Sequence, residues 1–354
     1  MYNIKKLETK IISNKDSFLD AEYYLSKSIN SGEISKIKLP ENTEINLFLL
    51  KDIFIITNYG LVVNKNGRII RECVANDSEL AFCIDYLLTN NLISIKNILY
   101  LEEDFCSLLG PGNYIFSQWF LESLPKLIIA EKSGFKGKYI IPKFTGFIAE
   151  TLNLLGIPKD RIVNPDENLQ VKNLFISERI NKNQDAYLSI LQDLREKLYQ
   201  NISPKGAPVN SGTPESGHST LEESITPRVN TKIFITSKST ENYRGYINKT
   251  ELYNLLKKSG FEIIFEEELS LIEKLKILAD SEYLISNSTS GIIYSLFMKE
   301  NAKVIELSFP SYINDSFLPI IKLLKLDFHR ITFPHYEAIE FEEGFNYTSP
   351  LEML

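Results

Sequence analysis

A chain of 354 residues, 44% hydrophobic and 24% charged, carries enough apolar material for two cores and reads as neither disordered nor fibrous. Its 46 Asp and Glu against 39 Lys and Arg give a net charge of −7, which excludes a protein whose whole surface neutralises nucleic-acid phosphates. Cys73, Cys83 and Cys106 show no CxxC spacing, so neither a disulfide framework nor a zinc site is expected, and all three read as small core residues.

In chain order, the amino terminus has no long apolar h-region, and no run of about 18 uncharged apolar residues occurs anywhere, so the expectation is a soluble cytoplasmic protein. "DIFIITNYGLVVNKNGRIIREC" (52–73) predicts a β meander with a turn at Asn66-Gly67. From Asn97 an α/β rhythm begins. "NILYL" predicts a strand, "SQWFLESLPKLIIAEKSG" a helix, "KYIIP" a strand, "TGFIAETLNLLG" a helix and "NLFIS" a strand, followed by an amphipathic helix near 184–200. In the first of these helices Gln118 and Glu122 are four apart and share a face, Phe116, Phe120, Leu124, Leu127 and Ile128 form the buried stripe, and Pro125 predicts a bend. Trp119, the single tryptophan, reads as core or as a sugar-stacking ring, with the core reading favoured. Glu102, Glu103 and Asp104 form an acidic cluster expected just after a strand end.

Ser203 to Asn230 packs four Pro and three Gly into a stretch without apolar periodicity and reads as a linker, with His218 inside it. Beyond it the rhythm is regular. "KIFIT" (232–236), "FEIIF" (261–265), "YLIS" (283–286) and "AKVIEL" (302–307) predict strands, separated by helices over 248–260, 270–281 and 290–298. Short, continuous apolar strands alternating with helices imply a parallel sheet covered on both faces. Asn248 with Glu251 and Ser270 with Glu273 have capping-box spacing, and Gly260 stands where a helix C′ residue belongs. The acidic run Glu266-Glu267-Glu268 reads as a solvated turn. The fold class expected is α/β, with two Rossmann-like domains, an amino-terminal meander and an interdomain linker. The domains run over 1–202, 203–230 as linker, 231–330, and 331–354 as a tail. Two such domains would place a cleft between them.

Between the strand ending at Ser286 and the next helix lies the elbow Asn287-Ser288-Thr289-Ser290-Gly291. In an open parallel sheet, ligands bind beyond the carboxyl ends of the strands, where loops lead into helix starts. Free amides there favour a phosphate or diphosphate, Ser288, Thr289 and Ser290 add hydroxyls, and Gly291 allows close backbone approach. The elbow is therefore expected to be bare because a ligand takes up that space. The loop after "KIFIT" carries Ser237, Lys238 and Arg244 toward the same edge, completing a diphosphate clamp. No GxGxxG or GxxxxGK[ST] sequence accompanies it.

These residues resemble the carboxy-terminal half of glycosyltransferase family 61. Arg244, Asn248, Gly291, Phe297, Met298 and Glu306 match its pattern, as does "GNYIFSQWFLESLPKL" (112–127), with Trp119, Leu124, Pro125 and Leu127 in place. "NLLGIPKDRIV" and "GLVVNKNGRII" also fit, so the likeness runs over roughly 55–310 in order. Where the family has His, this chain has Gln118 and Ser288.

The resemblance implies a GT-B-like enzyme that transfers a sugar from a nucleotide-sugar donor to a glycan acceptor of bacterial capsule or lipopolysaccharide, with no cofactor. Peripheral contact with the inner face of the cell membrane is compatible with that role. In it, Ser237, Lys238, Arg244 and Asn287 to Gly291 hold the diphosphate, and Glu306 hydrogen-bonds a ribose. Glu122 is the candidate base, with Gln118 positioning a hydroxyl. The absence of any D-x-D sequence argues for metal-independent transfer, and the resemblance implies an inverting enzyme. The alternative suggested by the missing histidines is a catalytically inactive nucleotide-sugar or glycan-binding protein on the same fold.

Overall fold

The protein is described here from a computed structural model. It covers residues 7–10, 18–19, 35–38, 44–57, 60–64, 69–70, 73, 94–110, 115–142, 146–178, 180, 183–202, 231–238, 249–287, 289–308, 313–332, 339–341 and 344–346. The linker 203–230, the Asn66-Gly67 turn, Asn248 and the histidines at 218 and 335 lie outside the described residues. The chain forms two compact units, Met1–Leu194 and Arg195–Leu354. Both are α/β.

The first unit holds a ten-stranded mixed sheet. Its strands are β1 (Leu7–Lys10), β2 (Phe18–Leu19), β3 (Ser35–Lys38), β4 (Glu44–Ile56), β5 (Leu61–Val63), β6 (Ile69–Ile70), β7 (Ser94–Ser107), β8 (Lys138–Ile140), β9 (Ile162–Val163) and β10 (Asn168–Ser177). The main order is β2-β6-β5-β4-β10-β7-β8-β9, with β1 on β7 and β3 on β4. The expected meander is the antiparallel run β4-β5-β6. From β10 outward the pairings β10-β7, β7-β8 and β8-β9 are parallel.

One expectation fails in β7. Glu102, Glu103 and Asp104 lie inside the strand, not beyond its end. Leu101 pairs with Val171 and Asp104 with Asn173, so β7 carries one extra residue there. Such a bulge breaks the period of two, and all three acidic side chains reach solvent between buried Leu101 and Phe105. Glu103 pairs with Lys138 at 2.6 Å and Asp104 accepts from Asn173 at 2.8 Å.

The helical run after β7 has three parts: α1 (Phe116–Gln118), a π segment (Trp119–Ser123) and α2 (Leu124–Lys132). The structure meets Pro125 with this π turn, in which Leu124 N–H donates to Trp119 O. Proline has no N–H to give to the carbonyl four residues back. That carbonyl, Leu121 O, accepts instead from the Tyr187 hydroxyl at 2.8 Å. Trp119 is core: fully buried, it donates from Nε1 to Thr151 Oγ1 at 2.8 Å. The remaining helices are α3 (Gly146–Leu154) and α4 (Gln184–Ile202), whose residues from Arg195 onward belong to the second unit.

In the second unit, β11 (Lys232–Thr236), β12 (Glu262–Phe265), β13 (Tyr283–Ser286), β14 (Lys303–Ser308) and β15 (Asp327–Thr332) form an all-parallel sheet in the order β12-β11-β13-β14-β15. A separate hairpin joins β16 (Ile339–Phe341) to β17 (Gly344–Asn346). The helices are α5 (Lys249–Lys258), α6 (Leu271–Ala279), α7 (Thr289–Ile293) and α8 (Leu318–Leu323).

The Ser270 to Glu273 capping box forms as expected at α6. Gly260 ends α5 at φ +85°, with Phe261 N–H donating to Leu256 O and Gly260 N–H to Lys257 O, the two bonds of a Schellman cap. The helix expected over 290–298 is instead α7 followed by a tighter 3₁₀ turn, Tyr294–Phe297. Its carbonyls are held by the last turns of α4: Arg195 donates to Leu296 O and Met298 O, each at 2.9 Å, and Tyr199 donates to Phe297 O.

Candidate functional site

Strand order places the second unit's candidate site. Following the chain, β12 lies on one side of β11, while β13, β14 and β15 run out on the other. The order reverses between β11 and β13, and in open α/β sheets ligands bind outside the carboxyl ends of the two strands at such a reversal. Ser237 and Lys238 follow β11, and Asn287 follows β13. Register puts Ile235, Ser286 and Glu306 in one row across three strands, so these strand ends share one rim.

Two sheet faces meet at that rim. Phe234, Ile285 and Leu307 pack with Leu252 and Leu256 of α5. Ile235 and Ser286 face α7 on the other side: a Cβ on Gly291 would stand 1.9 Å from Ser286 Oγ and 3.1 Å from Ile235 Cγ2. Gly291 is therefore bare because helix and strand touch there. The space expected to hold a ligand at this one position is filled by protein.

The acidic run, expected as a solvated turn, is a 3₁₀ turn, Glu266–Glu268, that reaches the rim. Glu267 accepts from the Ser237 hydroxyl at 2.5 Å and from Lys238 N–H at 3.1 Å. Glu268 pairs with Lys238 Nζ at 2.8 Å, and Lys274 donates to Glu266 O at 2.9 Å, pinning the turn from behind. A carboxylate thus occupies the hydrogen-bonding seat that the sequence offered to a phosphate.

Glu306 is 3% exposed and accepts from Arg330 Nε at 2.5 Å, while Arg330 Nη2 donates to Asp315 at 2.7 Å. Burial pushes the Glu306 carboxyl above its usual range against the pull of Arg330, and Arg330 itself is held above its ordinary value by its two carboxylates despite its own partial burial. Arg330 escaped the sequence reading; the signal available was its position one parallel strand beyond Glu306.

Among the described residues of this unit, the buried side-chain oxygens without a hydrogen-bond partner are Thr236 Oγ1, Asn287 Oδ1, Ser295 Oγ and Ser308 Oγ. Three of these four stand at the carboxyl rim. Thr289, Ser290 and Gly291 open α7. Ser288 and Arg244 lie outside the described residues.

In the first unit, Gln118, Glu122 and Lys126 are the only partly exposed residues between Phe116 and Ala130. Their spacing of four gives one accessible polar stripe on an otherwise buried helical run. The shared face expected for Gln118 and Glu122 is present, and Lys126 extends it. Gln118 Oε1 is buried without a partner. Burial, with the Glu122 carboxylate adding to it, raises the Tyr187 hydroxyl above its ordinary range, so that hydroxyl stays protonated and able to donate to Leu121 O. Among the described residues no group of three His, Cys, Asp or Glu is placed to share a metal ion, and no helix is long and apolar enough to cross a membrane.

A parallel sheet with polar residues gathered at its carboxyl rim defines an α/β protein of the kind that handles ligands at strand ends. Residues 116–305, from the start of α1 into β14, match the Glycosyltransferase 61 family. The match spans more than half of the chain, and the chain belongs to that family. It is a glycosyltransferase, acting between a sugar donor and an acceptor. No curated protein matches the chain.

Proposed function

We propose that this glycosyltransferase draws its sugar from a nucleotide-sugar donor and passes it, with inversion and without a metal ion, to a glycan acceptor of bacterial surface polysaccharide such as capsule or lipopolysaccharide. It would work in the cytoplasm, at the inner face of the membrane. The observation that carries the donor reading is the reversal of strand order between β11 and β13, with Ser237, Lys238 and Asn287 at its mouth. In this reading residues 231–330 take the donor, 1–202 serve the acceptor, 203–230 link them and 331–354 form a tail.

Arg244, Lys238, Ser237 and the elbow from Asn287 through Ser288, Thr289 and Ser290 to Gly291 would balance the charge that grows on the leaving diphosphate. Glu306, fixed by Arg330, would meet a ribose hydroxyl. The acceptor oxygen attacks the anomeric carbon, the bond from that carbon to the diphosphate oxygen breaks, and the nucleoside diphosphate leaves with the electron pair. The acceptor proton goes to Glu122, the only carboxylate on the accessible stripe, and Gln118 orients the hydroxyl. Metal independence rests on the lack of a D-x-D sequence.

A second reading, a nucleotide-sugar or glycan-binding protein without turnover, is favoured by Glu267 sitting on Ser237 and Lys238. Thermal stabilisation by a panel of nucleotide sugars, then nucleoside diphosphate release with candidate acceptors, tests both. At least one nucleotide sugar should raise the melting temperature, release should follow an acceptor, and Arg244→Ala should weaken binding. No stabilisation by any nucleotide sugar overturns the donor reading; binding without release under every acceptor favours the second.

A further inference from the structure

Thr236 and Asn287 end neighbouring strands at the point where the strand order reverses. Phe234 pairs with Ile285 and Ile235 with Ser286, so Thr236 and Asn287 are the next positions along β11 and β13. They continue the face of Phe234 and Ile285, on parallel strands about 4.8 Å apart. Thr236 is 0% exposed and Asn287 6%. Yet among the described residues neither Thr236 Oγ1 nor Asn287 Oδ1 has a hydrogen-bond partner.

Buried polar atoms are nearly always paired, because an orphan has lost its water and gained nothing. Packing against α5 does not require oxygen at either place; a valine would fill the Thr236 site equally well. Away from the rim, Ser295 Oγ is the one further orphan among the described residues of this unit, while other buried polar groups there are paired. Ser281 Oγ donates to Ile277 O at 2.8 Å, and the buried Lys274 reaches Glu266 O at 2.9 Å. Two adjacent orphans at the mouth of the switch point are a local feature, which points to a partner that is not protein.

Their chemistry limits that partner. An amide oxygen only accepts, so the ligand must bring an N–H or O–H to Asn287, while the Thr236 hydroxyl can donate or accept beside it. We infer that Thr236 and Asn287 form a recognition pair that hydrogen-bonds the nucleoside part of the bound nucleotide. Within a nucleoside, that donor-bearing edge is offered by the ribose diol or by the amide edge of a base. This inference rests on the donor reading of the rim and adds Thr236 to it as a specificity residue. Ser308, two residues beyond Glu306, lies on the opposite face and does not belong to this pair.

The test uses the full-length chain, wild type and T236V, N287L and T236S variants. Urea unfolding without ligand is compared with calorimetric binding of UDP, CDP, ADP and GDP and of their 2′-deoxy forms. T236V should unfold at the same or a higher urea concentration, since it deletes an orphan hydroxyl, and should bind the preferred nucleoside diphosphate about 3- to 10-fold more weakly. T236S, which keeps the hydroxyl, should bind like wild type, and N287L should lose affinity as T236V does. A penalty that shrinks with the 2′-deoxy ligand assigns the pair to the ribose; one that changes with the base assigns it to the base edge. T236V that loses stability while binding normally overturns the inference and leaves the donor reading intact. Wild type that binds none of the diphosphates overturns both.

Discussion

The helical run Phe116–Lys132 of the first unit and the strand rim of the second bury polar groups in opposite ways. Along the helix Trp119 finds Thr151, Ser123 donates to Leu108 O at 2.7 Å, and Tyr187 takes the carbonyl that Pro125 leaves open. At the rim Thr236, Asn287 and Ser308 keep oxygens without partners. Satisfied buried polar groups stiffen a fold, whereas unsatisfied ones are a cost that persists only where something else is gained. Up to Ala130 the helix is thus a scaffold that exposes only the stripe Gln118, Glu122 and Lys126, and the rim, in the reading proposed above, is a surface kept ready for a ligand. Gln118, whose Oε1 is also an orphan, is the one point on the helix that behaves like the rim.

The comparison breaks most visibly if the scaffold gives way cheaply. Trp119→Ala removes a fully buried indole together with its hydrogen bond to Thr151 Oγ1, and should cost about 3–5 kcal/mol by urea unfolding. A loss below about 1 kcal/mol would mean the helix is not the stiff partner in the contrast.

The π turn supplies the next test. Tyr187→Phe strips the partner from Leu121 O and should cost about 1–3 kcal/mol. Adding Pro125→Ala supplies an N–H four residues on and should recover part of that loss. Non-recovery would show that the carbonyl is not what the tyrosine serves.

Burial pushes the Cys106 thiol up to about 12, and it is 3% exposed. In the folded state it holds its proton where the unfolded thiol has lost it, so stability should fall as pH rises from about 9 toward 12. The contribution is at most about 1.4 kcal/mol per pH unit, and Cys106→Ala should flatten the slope. Denaturation curves at pH 8, 9 and 10 measure it, and native protein at pH 8 should not react at this thiol with Ellman's reagent.

The smallest expected effect sharpens the rim itself. Glu267→Gln removes the negative charge held by Ser237 and Lys238, so the variant should bind the preferred nucleoside diphosphate several-fold more tightly, read by calorimetry. Weaker binding would make Glu267 a support for the site instead of its competitor.

Much of the second unit is legible in its residues because each strand is a short, unbroken apolar run between capped helices, as at Ser270, Glu273 and Gly260. The first unit is harder to read. The bulge at Glu102 to Asp104 hides the second half of β7, since an extra residue destroys the alternation that marks a strand. Pro125 announces a break in helical bonding, but nothing nearby in sequence reveals that Tyr187, more than sixty residues on, repairs it.

The candidate site divides the same way. The elbow and the polar residues after β11 are visible as composition, while the hold of Glu267 on Ser237, the pairing of Glu306 with Arg330 and the orphan state of Thr236 are not. Sequence by itself determined what is local: apolar periodicity, caps, turn chemistry and the family pattern, each fixed by neighbours within a few residues. Tertiary structure alone decided strand order, and with it which residues share a rim and which buried oxygens go unpaired. Hydrogen bonding between distant segments depends on where the chain returns, and one-dimensional spacing carries no record of that.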